Sequence, residues 1–509
     1  MKKLLTSSTL LLTLTALGQA PSLLWEKNYG GTAPDGIFSG AQTADGGYII
    51  SGSTFSANGD ISENFGNEDG WIAKLNASGN ILWSRAYGGN ENDHINRVLI
   101  SGNGYVFAGN TNSTNDTFAM QHGGGDFYIA GTDANGNITW HNFLGGSGLD
   151  YATDMVAAPD GGFVVAGYSQ SVDGDIETPL GDNDFWIVKV TATGNIVWRK
   201  NLGGSGSDNA YRISGTTDGG YIVTGSTQSM DGQVTGQHYF EENPILADAW
   251  VVKLDGEGNL QWQKTLGGYT SDYGFDIKQT TDGGYIMAGA SESADGDITA
   301  TLGGYDYWIV KLDVAGNLLW QKSLGGNGYD EARNIIETDN GYIVSGMSYS
   351  QTNNISTNYG GGDIWVTGLD TSGNLIWEKN YGGSLNDTVY HMFKNSIGDY
   401  ILCGYTYSAD NDVAQNYGDS DGWIISLGEM TNEVKTNHLE KLTVYPNPTS
   451  DMLWIGENNQ GPKKYVLSDI TGRIVSTFST EEKISVIGLN AGVYVLENEN
   501  GIRTKFIKN

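Results

Sequence analysis

The sequence predicts an all-β chain, most of it a seven-bladed β-propeller, and the main observation behind this is an internal repeat. A tryptophan followed shortly by Gly-Gly recurs at spacings of 57 to 64 residues, at Trp25, Trp83, Trp140, Trp198, Trp262, Trp320 and Trp377. Each unit holds four short apolar runs separated by turn residues such as Asp-Gly and Gly-Asn, which supply the positive φ angles of tight hairpins. Four short strands repeated at such a period are typical of propeller blades.

The second run of each unit supports stacked blades, because its apolar residues are consecutive and do not alternate with polar ones. Tyr221-Ile222-Val223 and Tyr342-Ile343-Val344 show the pattern. It is typical of strands that are covered on both faces. Blades packed face to face around an axis provide that cover.

The ends of the repeats indicate how the propeller closes. The last unit ends at Leu427 without a fourth strand, whereas Trp25 to Tyr29 precede the first complete unit. We therefore expect this N-terminal segment to complete the last blade, which leaves no open sheet edge. The predicted propeller spans residues 21–427. The alternative, an open solenoid, requires polar capping ends that are not visible in the sequence.

Composition narrows the class of partner. Among 509 residues, 59 Asp and Glu outnumber 27 Lys and Arg, which gives a net charge of −32. That field repels phosphate backbones and anionic lipid, so we expect neither nucleic-acid binding nor membrane insertion. The single cysteine, Cys403, excludes an internal disulfide framework and is expected to be an unreactive core residue.

Residues 1–20 are predicted to be a secretory signal peptide. Lys2 and Lys3 supply the positive start, Leu10 to Leu17 form a short apolar run, and small residues follow it. The run is much shorter than the roughly 20 residues that a membrane span needs. We therefore expect the mature protein to leave the cytoplasm and pass through the periplasm.

The composition changes after Leu427. Residues 428–441 form a polar linker, and residues 442–509 form a separate module whose short strand-like runs predict a small β-sandwich. Four motifs occur in order in this module. They are Tyr445-Pro446-Asn447-Pro448, Asp469-Ile470-Thr471-Gly472-Arg473, Leu489-Asn490-Ala491-Gly492-Val493-Tyr494 and the basic end Lys505-Phe506-Ile507-Lys508.

This module resembles the type A C-terminal sorting domain of the type IX secretion system of Bacteroidetes-type bacteria. The resemblance implies handling by the type IX secretion machinery, then secretion or attachment at the outer-membrane surface. The sorting-signal residues that it implies are Tyr445, Pro446, Asn447, Pro448, Gly472, Gly492, Tyr494 and Lys505. The repeats are likewise similar to glycine-rich propeller repeats of secreted proteins that carry this tail. The alternative for the tail is a structural β-sandwich or a carbohydrate-binding module.

Two aspartates recur in every unit. One set follows Gly-Gly and consists of Asp35, Asp93, Asp150, Asp208, Asp272, Asp330 and Asp387. The other precedes the third strand and consists of Asp69, Asp126, Asp184, Asp248, Asp306, Asp363 and Asp421. Seven copies argue against catalysis. Short Asp side chains bond nearby backbone N–H groups, so a turn-fixing role is favoured over a carboxylate ring that attracts cations.

Several loops are similar to calcium loops. Asn58-Gly59-Asp60 and Asp295-Gly296-Asp297 place carboxylates beside backbone carbonyls, and both are calcium ligands. The spacing of a complete EF-hand loop is absent, so a plain turn is favoured. The sequence predicts no cofactor and no dedicated metal site, with calcium as the alternative.

Binding residues are expected where the repeats differ. Four positions after each Gly-Gly aspartate, a polar residue of varying charge recurs, at Ser39, Arg97, Asp154, Arg212, Asp276, Asn334 and His391. If the first strand lines a central channel, these side chains converge at one level. The six residues from Arg97 to His391 in this set are therefore predicted to bind a small polar ligand. The alternative is a self-satisfied ring of salt bridges.

A second difference lies in the longest unit, which is six residues longer than its neighbours and carries the extra length within residues 237–244. Its His238, Tyr239 and Phe240 are candidates for protein or sugar binding, because exposed aromatic side chains on loops suit that role. The alternative is a tolerated surface insertion.

Catalytic signatures are absent from the sequence. There is no HExxH, GxSxG or P-loop motif and no His/Cys metal spacing, so no catalytic residue is predicted. The favoured function is a secreted or surface-displayed binding or adhesion protein that recognises a glycan or a protein. The alternatives are a carbohydrate-active enzyme, a glycosidase or lyase with its site on the propeller axis, and a purely structural surface component.

Overall fold

The computed structural model describes residues 20–115, 122–238, 246–428, 443–456, 463–470, 473–480, 483–498 and 503–509. The predicted signal peptide, apart from Ala20, and the predicted linker, apart from Gly428, lie outside these residues. The chain divides into two compact units, one of residues 17–430 and one of residues 431–509 with residues 1–16. We call the described residues of the first unit the repeat region and those from 443 onward the tail.

The repeat region is built from short strands joined by tight turns. The first strands are β1 (Leu23–Tyr29), β2 (Asp35–Gln42), β3 (Tyr48–Thr54), β4 (Asp69–Leu75), β5 (Ile81–Tyr87), β6 (Asp93–Ser101), β7 (Gly104–Thr111), β8 (Asp126–Thr132), β9 (Ile138–Leu144), β10 (Asp150–Ala157), β11 (Phe163–Ser169), β12 (Asp184–Val190) and β13 (Ile196–Leu202). They are followed by β14 (Asp208–Gly215), β15 (Tyr221–Thr227), β16 (Asp248–Leu254), β17 (Leu260–Leu266), β18 (Asp272–Gln279), β19 (Tyr285–Ser291), β20 (Asp306–Leu312) and β21 (Leu318–Leu324). The last are β22 (Asp330–Thr338), β23 (Gly341–Ser348), β24 (Asp363–Asp370), β25 (Leu375–Tyr381), β26 (Asp387–Lys394), β27 (Tyr400–Thr406) and β28 (Asp421–Leu427).

These strands form seven four-stranded antiparallel sheets within the described residues. Sheets 1 to 6 each take four consecutive strands: β2–β5, β6–β9, β10–β13, β14–β17, β18–β21 and β22–β25. Sheet 7 has the order β26-β27-β28-β1, so it combines strands from both ends of the repeat region. The prediction of an all-β chain is confirmed.

The N-terminal strand β1 occupies the fourth-strand position of sheet 7. Its Cα register with β28 runs from Leu23 opposite Leu427 to Tyr29 opposite Gly422. Side chains support the pairing, because the indole N–H of Trp423 donates to a Glu26 carboxylate oxygen at 2.9 Å. The two ends of the repeat region are thereby hydrogen-bonded into one sheet.

Neighbouring sheets pack through their first strands and through hydrophobic layers. The first strands β2, β6, β10, β14, β18, β22 and β26 each pack beside the next in this order, and β26 packs beside β2. Within the described residues, a hydrophobic cluster lies between every pair of neighbouring sheets, including sheets 7 and 1. The third strands contribute a fully buried aromatic residue each, Trp71, Tyr128, Trp186, Trp250, Trp308, Trp365 and Trp423. Each such burial stabilises the packing by roughly 1.5–3 kcal/mol.

The buried second strands match the sequence pattern. All residues of β15, which contains Tyr221-Ile222-Val223, are buried. Cys403 on β27 lies in the layer between sheets 7 and 1. Burial raises the pKa of its thiol to about 12, which keeps the sulfur protonated and unreactive at neutral pH.

The tail holds seven strands, again within the described residues. They are β29 (Thr443–Tyr445), β30 (Met452–Gly456), β31 (Lys463–Asp469), β32 (Ile474–Thr480), β33 (Lys483–Ser485), β34 (Gly492–Asn498) and β35 (Arg503–Lys508). They form a three-stranded sheet, β29-β30-β33, and a four-stranded sheet, β32-β31-β34-β35. The described part of the chain contains no helix with the length and apolarity to span a bilayer.

Candidate functional site

Every first strand carries a β-bulge at the same position. At that point, one residue of the first strand has no partner residue in the Cα register with the second strand. We call these residues the bulge residues: Phe38, Asn96, Thr153, Tyr211, Phe275, Arg333 and Tyr390. A bulge places two successive residues opposite one partner residue and redirects the side chains around it.

The residues that follow the bulges are the seven predicted channel residues, here called the polar ring. Four of them accept a hydrogen bond from a backbone N–H of the next sheet. Ser39 accepts from Val98 at 3.4 Å, Asp154 from Ile213 at 3.1 Å, Asp276 from Ile335 at 3.0 Å and Asn334 from Met392 at 3.1 Å. The polar ring therefore links neighbouring sheets to one another.

His391 of sheet 7 continues this series into sheet 1. Its Nδ1 lies 3.3 Å from the Gly40 amide nitrogen, and its Nε2 lies 2.5 Å from Arg97 Nη1. The Gly40 N–H and the Arg97 guanidinium are both donors, so both ring nitrogens face a donor and a neutral imidazole can accept from only one of them at a time. Burial and the nearby Arg97 lower the pKa of His391 well below its usual value, so the imidazole is neutral.

The two arginines of the polar ring contact its carboxylates. Arg97 Nε is 3.3 Å from Asp154 Oδ1, and Arg212 is 3.9 Å from the same oxygen and 3.6 Å from Asp276 Oδ1. Lys278 adds a contact of 3.0 Å to Asp276. Burial raises the pKa of Asp276, but Lys278 and Arg212 outweigh it and hold that pKa below its ordinary value.

The structure thus brings the predicted channel residues together at one level. The ring is largely buried: Ser39, Asp154, Asp276 and Asn334 are at most 3% exposed. Its charges contact one another and the backbone, but Asn334 Nδ2, Asp154 Oδ1 and Arg97 Nε make no hydrogen bond within the described residues. A ligand-binding role for the ring itself stays a prediction.

A pocket of about 420 Å³ lies next to this ring, and all seven sheets contribute to it. We call it the bulge pocket. Its lining consists of the seven bulge residues with His94, Tyr151 and Arg212. Half of these ten residues are Phe or Tyr, so the walls are mainly aromatic.

Arg333 is the charged bulge residue, and aromatic rings flank it. Its guanidinium carbon lies 5.4 Å from the ring centre of Phe275 and 5.0 Å from that of Tyr390, within cation–π range of both. Arg333 Nε pairs with the buried carboxylate of Glu331, which also accepts a short hydrogen bond from the Tyr329 hydroxyl. Burial lowers the pKa of Arg333, but Glu331 outweighs it and keeps the group charged.

Sequence reasoning found the polar ring and missed the bulge pocket. If side chains alternated strictly between the two faces of the first strand, the bulge residues would lie on the face opposite to the recurring aspartate and to the polar ring. The bulge interrupts that alternation. One signal was available. The bulge position and the ring position that follows it both vary, for example Tyr211-Arg212 and Phe275-Asp276, although each pair lies between core residues.

The insertion candidates fall largely outside the described residues, because Tyr239 and Phe240 belong to the segment 239–245 that the structure does not describe. His238 is described. Its backbone N–H donates to Asp248 at 2.7 Å, and its Nδ1 lies 3.2 Å from the same carboxylate oxygen. Tyr359 makes the same backbone bond to Asp363 in sheet 6. The His238 backbone therefore has a turn-fixing contact, and its ligand role stays a prediction.

The recurring aspartates meet at the junctions between sheets. Asp387 accepts hydrogen bonds from the Gly383 N–H at 2.7 Å and from Ser408 at 3.0 Å, and the other six first-strand aspartates repeat this arrangement. These bonds fix the loop that enters each sheet, which is the turn-fixing role that the sequence predicts.

A glycine separates the two aspartates at each junction. A Cβ atom placed on Gly382 would lie 2.5 Å from oxygens of both Asp363 and Asp387, so only glycine fits between them. Burial, reinforced by the neighbouring carboxylate, raises the pKa of Asp363 to about 7, and burial raises that of Asp387 to about 6. The recurring Gly-Gly motif therefore marks a close approach of two buried carboxyl groups.

The loops that are similar to calcium loops form tight turns. Gly59 and Gly296 have φ angles of 69° and 63°, and Asn411 occupies the same place with a φ of 55°. Asp60 and Asp297 accept backbone N–H bonds from Gly30 at 3.3 Å and Gly267 at 3.2 Å. Among the described residues, no group of three or more His, Cys, Asp or Glu side chains is arranged to hold a metal ion.

The predicted sorting residues of the tail are partly connected. Asn447 accepts a hydrogen bond from the Ile507 N–H at 2.8 Å and donates to the Lys505 carbonyl at 3.1 Å, which joins the first motif to the basic end. Tyr494 donates to the Asn490 carbonyl at 2.9 Å within the third motif. Gly472 of the second motif lies outside the described residues.

The family comparison identifies the tail. Residues 443–509 match the family described as "Secretion system C-terminal sorting domain". The resemblance of the tail to a type IX sorting domain is confirmed. The protein is therefore exported and is secreted or located at the cell surface.

Other similarities are more distant. "Regulatory protein FlaEY" of Caulobacter vibrioides is 24% identical over 273 residues, which cover 50% of this chain and 26% of that protein. This chain therefore matches about a quarter of its relative's length.

Solved structures that are similar include a protein of unknown function from Bacteroides caccae, with 14% identity over 62% of this chain and 93% of that one and a TM-score of 0.35. The WD40 domain of Neurospora crassa Pan2 has 12% identity, covers 79% and 90%, and has a TM-score of 0.42. BamB from Moraxella catarrhalis has 12% identity, covers 77% and 85%, and has a TM-score of 0.34. These TM-scores are all below 0.5, so the similar structures do not establish the fold of this chain. The fold follows from the strand pairing of the chain itself.

Proposed function

We propose that residues 21–427 form a seven-bladed β-propeller in which β1 closes the last blade. The hydrogen-bonded register of β1 with β28 supports this, as do the hydrophobic layers between consecutive sheets. Residues 1–20 are the signal peptide, residues 428–441 the linker, and residues 442–509 a β-sandwich that is handled by the type IX secretion machinery. The two antiparallel sheets of the tail are the observation that favours the sandwich.

The propeller is an exported binding or adhesion protein whose ligand, a glycan or a protein, occupies the bulge pocket. The observation that carries this proposal is the convergence of one bulge residue from each of seven sheets on a single aromatic pocket of about 420 Å³. The bulge position carries five different residue types in the seven units, a variation that packing alone does not require. A concave site with aromatic walls and a few polar groups is the usual form of a ligand pocket.

Binding without chemistry is favoured because the described lining of the pocket contains no carboxylate. A glycosidase requires two carboxyl groups on either side of the scissile bond. Asp154 and Asp276, which contact the lining residue Arg212, are buried in the polar ring, where arginines and backbone amides already contact them.

A carbohydrate-active enzyme is the second candidate, and one observation favours it. His94, Tyr151, Tyr211 and Tyr390 line the pocket, and these side chains can transfer protons. Incubation of the protein with polysaccharides would release new reducing ends if this candidate were correct. Degradation that is lost in His94→Gln, Tyr211→Phe or Tyr390→Phe, with the variant still folded, would replace the binding proposal.

A glycan array probed with the full chain tests the binding proposal. We expect Phe275→Ala to weaken binding at least tenfold, because it removes one wall of the pocket and the support of Arg333. Leu82→Ala, on the exposed side of the fourth strand β5, is the matched control and should bind like the wild type. Deletion of residues 239–244 should also leave binding intact. Binding lost on that deletion would place the site on the insertion, and no binding by any glycan or protein would favour a structural surface role.

A further inference from the structure

We infer that the bulge pocket binds a sugar that carries a carboxylate, a uronic acid unit, through the guanidinium group of Arg333. This inference rests on the proposed function, because it names the ligand class of the same pocket. The charge of the lining, the way Arg333 is held and the shape of the aromatic walls support it.

The lining has the opposite charge to the rest of the repeat region. Residues 21–427 contain 49 acidic and 16 basic residues. The pocket nevertheless presents two arginines, Arg212 and Arg333, and no carboxylate among its described lining residues; the lining residue His94 contacts Glu68 at 3.3 Å. The carboxylates that balance the arginines, Asp154, Asp276 and Glu331, are each at most 3% exposed. A ligand in the pocket therefore meets the cations directly.

Distant surface carboxylates do not cancel this local preference. The Debye length is about 8 Å at physiological ionic strength, so exposed charges further away are largely screened. The contact charges of the pocket then decide which ligand binds, and they favour an anion over a cation.

Arg333 is held in place so that its outer edge is available. Nε pairs with Glu331, and Phe275 and Tyr390 flank the guanidinium plane. No protein acceptor among the described residues bonds its two terminal nitrogens, and the side chain stays 26% exposed where it lines the pocket. A fixed guanidinium fork binds a carboxylate in bidentate geometry at a low cost in conformational entropy.

The aromatic walls favour a sugar ring over a flexible acidic peptide. The rings of Phe38 and Tyr390 pack edge to face with their centres 5.1 Å apart, and the ring centres of Tyr211 and Phe275 are 5.5 Å apart. The aromatic rings are therefore packed against one another before any ligand binds. Rigid aromatic faces bind the apolar face of a pyranose and leave its hydroxyl edge and its carboxylate free for polar contacts.

The polar ring limits how far a ligand can enter. Arg97, Asp154 and Arg212 follow the bulge residues along the same strands and contact one another there. We expect these contacts to stop a polysaccharide chain at the ring, so that the pocket takes a chain end or a side branch. The volume of about 420 Å³ suits one or two sugar rings.

Matched glycosides test the inference with the full chain. The pairs are methyl glucuronide with methyl glucoside and methyl galacturonide with methyl galactoside, which differ only in a carboxylate or a hydroxymethyl group. Saturation-transfer NMR titrations should show at least one uronide binding tenfold or more tightly than its neutral partner. Arg333→Gln should abolish that preference, and Arg333→Lys should retain part of it. Arg199 lies on β13 and pairs with Asp175 and Glu177, away from the pocket lining. Arg199→Gln should therefore leave the preference unchanged.

The outcomes separate this inference from the proposed function. Equal binding of both members of each pair, or a uronide preference that survives in Arg333→Gln, overturns the inference but leaves the glycan-binding proposal in place. Displacement of a bound uronide by a glutamate-rich peptide at equal concentration also overturns it. Melting temperatures of all variants within a few degrees of the wild type show that a lost preference reflects lost contact. Failure of every glycan and protein to bind overturns the proposed function itself.

Discussion

At the scale of single residues, the aspartate pairs between sheets make stability depend on pH. Burial raises pKa values well above the ordinary 3.8, to about 7 for Asp272 and Asp363 and to about 6 for Asp126, Asp208, Asp387 and Asp421. A carboxyl group with a raised pKa holds its proton more tightly when folded. Its stabilising effect is complete below about pH 4 and is lost as the pH rises through the folded value.

The pair at Gly382 gives the sharpest test of this effect. Asn at position 363 can still accept the Tyr359 N–H bond, and its amide can donate toward Asp387 where two carboxylates now face each other. We expect Asp363→Asn to stabilise the fold at about pH 8 by roughly 1–3 kcal/mol and to reduce the fall in melting temperature between about pH 5 and pH 8. Glu177→Gln, an exposed control, should change neither. An Asp363→Asn variant with the wild-type pH profile would contradict this explanation of the raised pKa.

The opposite effect is expected at Asp154, because its negative charge balances buried arginines. It contacts both Arg97 and Arg212 and accepts the Ile213 N–H. We expect Asp154→Ala to lower the free energy of unfolding by about 3–5 kcal/mol, since it leaves buried arginines without a shared partner. Glu177→Ala breaks an exposed pair with Arg199 and should cost at most about 1 kcal/mol. Denaturant titration measures both, and equal losses would show that the polar ring does not stabilise the sheets.

At the scale of elements, the tight turns between second and third strands depend on residues with a left-handed backbone. Asn353 has a φ of 60° at the place where Gly59 and Gly296 lie in other sheets. We expect Asn353→Val to destabilise the fold by about 1–2 kcal/mol, because a β-branched side chain is strained there, and Asn353→Gly to change stability by less than about 0.5 kcal/mol. Thermal unfolding of the two variants at one pH tests this. Similar melting temperatures for both would mean that the turn does not constrain this residue.

Strands and turns could be predicted from the sequence because their signals are local. The consecutive apolar residues of β15 and the Asp-Gly turns specify structure within a few positions. The bulges could not be predicted in the same way, because each depends on pairing with a second strand and on the side chains that fill the space beside it. Tyr211 and Arg333 were therefore assigned no role, whereas Asp154 and His391 were selected because their position in the repeat is polar and varies in charge.

The pairing of the two recurring aspartates was also beyond sequence analysis. Asp363 and Asp387 lie in different sheets, and only the packing of those sheets brings them together across Gly382. The sequence did show that both positions and the glycine recur in every unit. Their shared recurrence reflects one junction rather than two separate turns.

At the scale of the whole repeat region, the bulge pocket requires all seven sheets at once. Phe38 belongs to sheet 1 and Tyr390 to sheet 7, the sheet that β1 completes. The centres of their rings lie 5.1 Å apart across the junction of the two sheets. Loss of β1 would expose the edge of β28, and sheet 7 would no longer be hydrogen-bonded to the N-terminal end of the repeat region. Closure by β1, the shape of the pocket and the position of Arg333 therefore form one connected claim.

Hydrogen exchange of the backbone amides of β1 tests this claim most directly. If Leu23–Tyr29 pair with β28, their hydrogen-bonded amides should exchange as slowly as those of the fourth strands β5 and β9, which occupy the same place in sheets 1 and 2. Complete exchange of β1 at the earliest time point, while β5 and β9 stay protected, would contradict both the closure and the pocket that depends on it.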